Sequence, residues 1–239
     1  MDLYYLGYII AGAAILLCII IAMVSQVKVQ SAYSKYSKIE SSLKLTGKEF
    51  ADKLIQDTGV KVGSRKCNGT LTDNYDPRIK TLNISSENYD NSSIASQAIV
   101  AHEFGHAMQH ARGYFPLKLR QFAIKLSQFA SGAFLPLLIV GIILEIVLVN
   151  SFIGNVFIYC VAGFYGLSVL LNLVTVPVEY NASKRAKQLL RQNAMYTEEE
   201  MVGVNEVLDS AALTYVASLL ISLAYFARIL IIFLGNNRR

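Results

Sequence analysis

Residues 3–24 of this 239-residue chain, LYYLGYIIAGAAILLCIIIAMV, contain no charged side chain. At about 1.5 Å of rise per residue, a helix of that length crosses a hydrocarbon layer of roughly 30 Å. Such a stretch leaves few folding options, because a bilayer accepts an all-round apolar surface only when every backbone group is bonded internally. Three more blocks repeat the pattern. Residues 129–149 are uncharged except for Glu145, residues 151–176 carry no charge, and residues 210–234 carry only Arg228. Apolar residues make up 54% of the chain and charged ones 16%, a balance outside the soluble class. The pattern predicts an integral membrane protein with about four transmembrane helices.

The first block is read as a retained anchor. No basic residue precedes it, it exceeds a signal core in length, and MVSQVK offers no small-x-small cleavage site. Cys18 and Cys160 fall in apolar blocks and Cys67 stands alone in the polar part, so no disulfide framework calls for an oxidising compartment.

Two polar segments remain, residues 25–128 and 177–209, and counting crossings puts both on the same side of the membrane. Lys28, Lys35, Lys38, Lys118, Arg120 and Lys125 flank the first two spans, and Lys184, Arg185, Lys187 and Arg191 follow the third. The turn at Val149–Ser151 has none, and Arg238 and Arg239 alone favour the opposite face. The positive-inside rule therefore places both polar segments in the cytoplasm and both termini outside. The net charge of +5 suits anionic lipid headgroups. No basic stripe with interleaved aromatics is present, which argues against nucleic acid. Charges within spans are costly unless paired, and rise counting sets Glu145 and Arg228 at similar depth, where they could bridge two helices.

Within the first polar segment, Thr46-Gly-Lys-Glu49 is a capping-box pattern followed by apolar residues at helical spacing, with Gly59 as the stop. GVKV and LTDNYDPRIKTLNIS read as short strands, with Tyr75–Arg78 as a hairpin turn. Asn91-Ser92-Ser93 then offers an N-cap for a helix ending near Arg112, before Gly113. Sequons at Asn68, Asn83, Asn91 and Asn181 carry no meaning on a cytoplasmic face.

That helix holds every histidine of the chain, in AHEFGHAMQHARG at 101–113. His102 and His106 are one turn apart, so their imidazoles share a face and can share a metal, the physical basis of HExxH. Glu103 points about 100° round the helix, near such a metal yet free of it, where a general base for an activated water belongs. His110 lies about 12 Å along the helix from His102 and cannot reach the same ion; it is expected behind a ligand or at the surface. The third ligand must come from elsewhere on the same side. Glu179 in VPVEYNASKRA is the one carboxylate between Glu145 and Glu198, placed where the third span ends, with Pro177 suited to a first helical turn. Glu198–Glu200 behind Thr197 read as a solvated helix start. Two histidines and a glutamate with an open fourth position form a catalytic zinc arrangement.

HEFGHAMQHA, the upstream LTDNYDPRIKTLNIS, the downstream PVEYNASKRA and the late VLDSAALTYVA together resemble the bacterial membrane-bound neutral zinc metallopeptidases of the YugP type. The resemblance runs from about residue 60 to residue 225 and includes the N-terminal anchor. It implies a gluzincin-like peptidase with His102, His106 and Glu179 as zinc ligands and Glu103 as base. Gluzincins often carry an aspartate four residues after the ligand glutamate, and here that place is Ser183; Asn181 also stands where an aspartate is expected.

The resulting expectation is a mainly α membrane protein with a small α+β, zincin-like catalytic region at the membrane surface. Its parts are transmembrane helices at 3–24, 129–149, 151–176 and 210–234, a catalytic region at 25–128 with its zinc-binding helix at 93–112, and a second cytosolic segment at 177–209. One zinc ion per chain would serve hydrolysis of a polypeptide, most plausibly a membrane-associated one, with a LTDNY or TLNIS strand offering its edge to the substrate. Tyr180 and Tyr215 are candidate oxyanion donors. The rivals are a non-catalytic zinc-binding scaffold or sensor and an intramembrane protease. The latter sits poorly with Ser92, Ser93, Ser96, Gln97, Gln109 and Arg112 on the histidine helix.

Overall fold

The computed structural model describes residues 3–129, 139, 151–192 and 196–236. The chain forms α1 (Leu3–Tyr36), α2 (Gly47–Thr58), β1 (Gly63–Cys67), β2 (Asn74–Asp76), β3 (Thr81–Ser85), α3 (Ser86–Tyr89), α4 (Ile94–Ala111), α5 (115–129), α6 (Ser151–Gln192) and α7 (Glu198–Asn236). It is a mainly helical membrane protein with a small mixed α+β region, and it divides into two compact units.

One unit comprises Met1–Met23, Lys118–Val176 and Tyr215–Arg239. The helices that supply it, α1, α6 and α7, are each long and apolar enough to cross a membrane. Its apolar side chains face outward, with Ile9, Ile10, Leu16, Leu17 and Ile20 all more than half exposed, as a lipid-facing surface requires. Tyr165 and Tyr225 stack at 5.6 Å between ring centroids. The Arg228 guanidinium donates to the Tyr8 hydroxyl and lies 4.5 Å from that ring's centroid. Almost all of the expected 129–149 span, Glu145 included, lies outside the described residues; Arg228 finds its partner in a tyrosine.

The other unit comprises Val24–Leu117 and Pro177–Thr214. Thr46 caps α2 as its sequence dictates: its hydroxyl accepts from Glu49 N–H at 3.2 Å, and Glu49 accepts from Thr46 N–H at 2.9 Å. Gly59 ends the helix at φ 67°, a left-handed conformation that disfavours other residues. Phe50, Ala51 and Leu54 thereby turn one face of α2 into the core, where they are fully buried beside Leu82, Ile84, Phe104, Leu190 and Val204. Truncating a phenylalanine such as Phe50 there would remove about 3–5 kcal/mol.

The sheet has strand order β1-β3-β2, with β1 parallel and β2 antiparallel to β3. The expected hairpin is β2–β3. β1, however, starts after GVKV rather than on it. Val60 and Val62 pack on the core, Val62 N–H bonds back to Val60 O at 3.0 Å, and the ladder begins with Gly63 N–H to Lys80 O at 2.9 Å. Central β3 is the most buried strand. Asp73 fixes the approach to β2, accepting Ser85 N–H and Asn88 Nδ2, each at 2.9 Å.

Pro177 does not open a new helix; it lies inside the unbroken α6. A proline removes one backbone bond, a loss of about 3 kcal/mol. The fully buried Val178 and Ala182 pack the turns that follow and hold the helix through it. α7 begins at Glu198 behind Thr197, whose hydroxyl accepts Glu200 N–H at 3.2 Å while Glu200 accepts Thr197 N–H at 2.8 Å.

Candidate metal centre

α4 starts at Ser93, whose hydroxyl accepts Ser96 N–H at 3.2 Å, and carries His102 and His106 on one face. Their ring centroids are 4.9 Å apart with planes at 88°. Glu179, 2% exposed, enters from α6. Its Oε2 lies 3.1 Å from His102 Nε2 and 3.4 Å from His106 Nε2, and the three donors fall within 4.8 Å of one another. In a tetrahedral zinc site with bonds of about 2.0–2.1 Å, neighbouring donors stand about 3.3 Å apart. The two edges from Glu179 match that figure, the three donors lie within 4.8 Å of one another, and two imidazoles with a carboxylate are a donor set that zinc takes.

Each ring is held from behind. His106 Nδ1–H donates to Gln109 Oε1 at 2.9 Å. The Gln109 amide donates its two protons to Val178 O at 2.8 Å and Asn181 Oδ1 at 3.0 Å, so its orientation is fixed by three partners. Arg185 Nε donates to the same Asn181 oxygen at 2.8 Å. His102 Nδ1 lies 3.1 Å from Ser183 Oγ. Ser183 thus stands behind a histidine where gluzincins place an aspartate, and Asn181 acts through Gln109. These contacts fix Nδ1 as the outward-bonded nitrogen and leave both Nε2 atoms for a metal.

Gly105, between the two histidines, lets α4 and α6 meet. A Cβ there would lie 2.6 Å from Ala182 O and 3.2 Å from Ala182 C and Cα. Sequence reasoning passed over Gly105, although a glycine inside a helix costs about 1 kcal/mol against alanine and so signals a packing demand. It passed over Gln109 as well, reading it only as a polar residue.

Glu103 stands outside the donor set. Its Oε2 accepts the main-chain N–H of Tyr75 at 2.9 Å. Burial pushes its carboxyl above the ordinary carboxylate range; His102 and His106 oppose this, and the charges of Glu179 and Asp73 add to it. Burial alone would lower the His106 ring. The hydrogen bond that the ring donates to Glu179 and the charges of Glu103 and Glu179 outweigh it, helped by Gln109, so His106 holds a proton more tightly than an ordinary imidazole. His110 takes no part in the donor set and bonds the Tyr75 hydroxyl through Nδ1 at 2.7 Å. Tyr180, the residue after Glu179, is 47% exposed and lines a groove of about 350 Å³ with Ser183, Lys184, Lys187 and Asp209.

Two imidazoles and a carboxylate on converging helices, beside a glutamate free of them, are a group that could hold one metal ion. The family described as "Putative neutral zinc metallopeptidase" matches residues 11–234, and the chain belongs to that family. It is also similar to "Putative membrane protease YugP" of Bacillus subtilis (strain 168), with 39% identity over 214 residues, covering 89% of this chain and 92% of that protein. No solved structure matches the chain.

Proposed function

We propose that the chain is an integral membrane zinc peptidase that binds one zinc ion through His102, His106 and Glu179 and uses Glu103 as general base. The observation that carries this reading is the meeting of His102 Nε2, His106 Nε2 and Glu179 Oε2 within 4.8 Å, with Glu103 excluded from the set. Zinc in such a site supplies Lewis-acid activation of a peptide carbonyl and of the attacking water. The chain's residues do the rest. Ser183 and Gln109 hold the two rings at Nδ1, and the Gln109 oxygen, an acceptor only, keeps the His106 proton on that nitrogen. Glu103 takes the water's proton on a carboxylate oxygen and delivers it to the leaving amine nitrogen as the C–N bond breaks. A carboxyl raised by burial suits both halves of that transfer.

The proposed substrate is a membrane-associated polypeptide. β3 is bonded on both sides, so β2 is the edge strand of the two, and an extended substrate added there would meet the Tyr75 N–H that Glu103 now accepts. The basic residues flanking the apolar blocks support a cytoplasmic site.

The test is zinc content and hydrolysis of unfolded casein, in detergent, for the native protein, Glu103→Gln and Glu179→Ala. The expected result is stoichiometric zinc in the first two, cleavage by the native protein alone, and zinc lost from Glu179→Ala. Absence of zinc from the native protein would overturn the metal site; undiminished cleavage by Glu103→Gln would overturn the base.

A further inference from the structure

His110 is the one histidine of the cluster with no place in the proposed donor set, yet it is only partly exposed and has a side-chain partner. Its Nδ1 shares a 2.7 Å hydrogen bond with the Tyr75 hydroxyl, and the two rings lie 5.8 Å apart at 55°. Tyr75 is the middle residue of the three-residue strand β2, which among the described residues pairs with β3 alone. It faces Leu82 in that ladder, but its main-chain N–H is given to Glu103 Oε2, at 2.9 Å. Tyr75 therefore touches α4 twice, by its backbone at Glu103 and by its phenol at His110.

Those two positions are seven residues apart, two turns on one helix face. A strand of three residues has few ladder bonds of its own to set where its outer edge points. The phenol–imidazole bond adds a second fixed point on the helix that carries Glu103. With strand and helix tied at His110, the Tyr75 N–H meets the Glu103 carboxylate at 2.9 Å. A half-buried tyrosine hydroxyl gains from a partner, and burial, with the charge of Asp76, pushes this phenol above its ordinary range.

We infer that His110 is a positioning residue: acting through Tyr75, it sets the orientation of the Glu103 carboxylate. The inference rests on the proposal that Glu103 is the general base. It explains why a third histidine follows two turns after that glutamate, at a place from which it cannot share the ion.

The experiment uses the full chain, zinc-loaded in detergent, as Tyr75→Phe, His110→Ala, His110→Asn and the Tyr75→Phe/His110→Ala double variant, beside Glu103→Gln. Both single truncations should lower kcat about 10- to 100-fold, with zinc stoichiometry and KM near native. Asparagine places an amide near the Nδ1 position, so His110→Asn should recover most of the loss. The double variant should be no worse than either single, because both remove one contact. A second readout needs no turnover: with 15N-tyrosine labelling, the Tyr75 amide is the resonance missing from Tyr75→Phe. In His110→Ala it should move toward its position in Glu103→Gln. A native kcat in His110→Ala, an unmoved Tyr75 amide, or additive losses in the double variant would each overturn the inference. If Glu103→Gln still hydrolyses casein, the base assignment falls and the inference with it, a pattern distinct from failure of the positioning alone.

Discussion

Replacing Gly105 by alanine adds one carbon where α4 and α6 are closest. That carbon would sit 2.6 Å from the Ala182 carbonyl oxygen, whereas a relaxed carbon–oxygen contact needs about 3.3 Å. The difference, about 0.7 Å, must be absorbed by backbone on both sides, since the opposing atoms belong to a helix and not to a flexible side chain. Glu179 lies three residues before Ala182 on the same helix and moves with it. Its separations from the two Nε2 atoms, 3.1 and 3.4 Å, would open by several tenths of an ångström, more than the roughly 0.2 Å that metal–ligand bonds tolerate. Zinc affinity should fall about 10- to 100-fold, or about 1.4–2.7 kcal/mol. Fold stability should change less: overpacking costs about 1–3 kcal/mol, and alanine returns about 1 kcal/mol of helix propensity. Competition against a chromophoric zinc chelator in detergent measures the first quantity, and thermal unfolding followed by circular dichroism the second. A Gly105→Ala protein that binds zinc as tightly as the native one would refute the argument that this close approach sets the ligand spacing.

The supports behind the two rings differ in the number of bonds they make. Gln109→Leu strips His106 of its acceptor and leaves Val178 O and Asn181 Oδ1 without that donor. It should weaken zinc by about 10- to 100-fold and lower stability by about 1–3 kcal/mol, whereas Ser183→Ala, with one contact to His102, should do less on both counts; equal losses in the same chelator and unfolding assays would contradict the ranking. Zinc binding should also weaken on acidification. A proton on His106 must leave before the metal binds, and its raised proton affinity means that the loss begins above the ordinary imidazole value of about 6.5 as pH falls. Equilibrium dialysis from about pH 8.5 to about pH 5.5 checks this, and an affinity unchanged down to about pH 6.5 would count against it.

The histidine helix was legible because its signals are local: a serine cap, two histidines one turn apart and a glycine beyond the end. The α2 capping box was readable for the same reason. The strand at GVKV was misplaced because alternating valines announce burial, not ladder pairing, and the ladder depends on β3 lying alongside. Pro177 suggested a helix start since its missing N–H is harmless there, but tertiary packing at Val178 and Ala182 carries the helix through. Ser183 and Asn181 looked like departures from a pattern. Only the fold shows that a serine reaches His102 and that the asparagine acts through Gln109, a residue 72 positions earlier. Tyr75 carries a local turn signal, yet it lies in β2, and its bond to Glu103 depends on how that strand is laid against α4.

The unit containing the metal centre is assembled from two stretches of chain, Val24–Leu117 and Pro177–Thr214, with more than fifty residues of other structure between them. During synthesis at about 5–20 residues per second, Glu179 leaves the ribosome roughly 4–15 seconds after His106. For that interval the nascent chain presents its histidine helix with neither the carboxylate, the serine nor the asparagine that complete the site. The order of residues along the chain thus leaves the candidate site without its carboxylate while the apolar segments in between are still being delivered to the membrane.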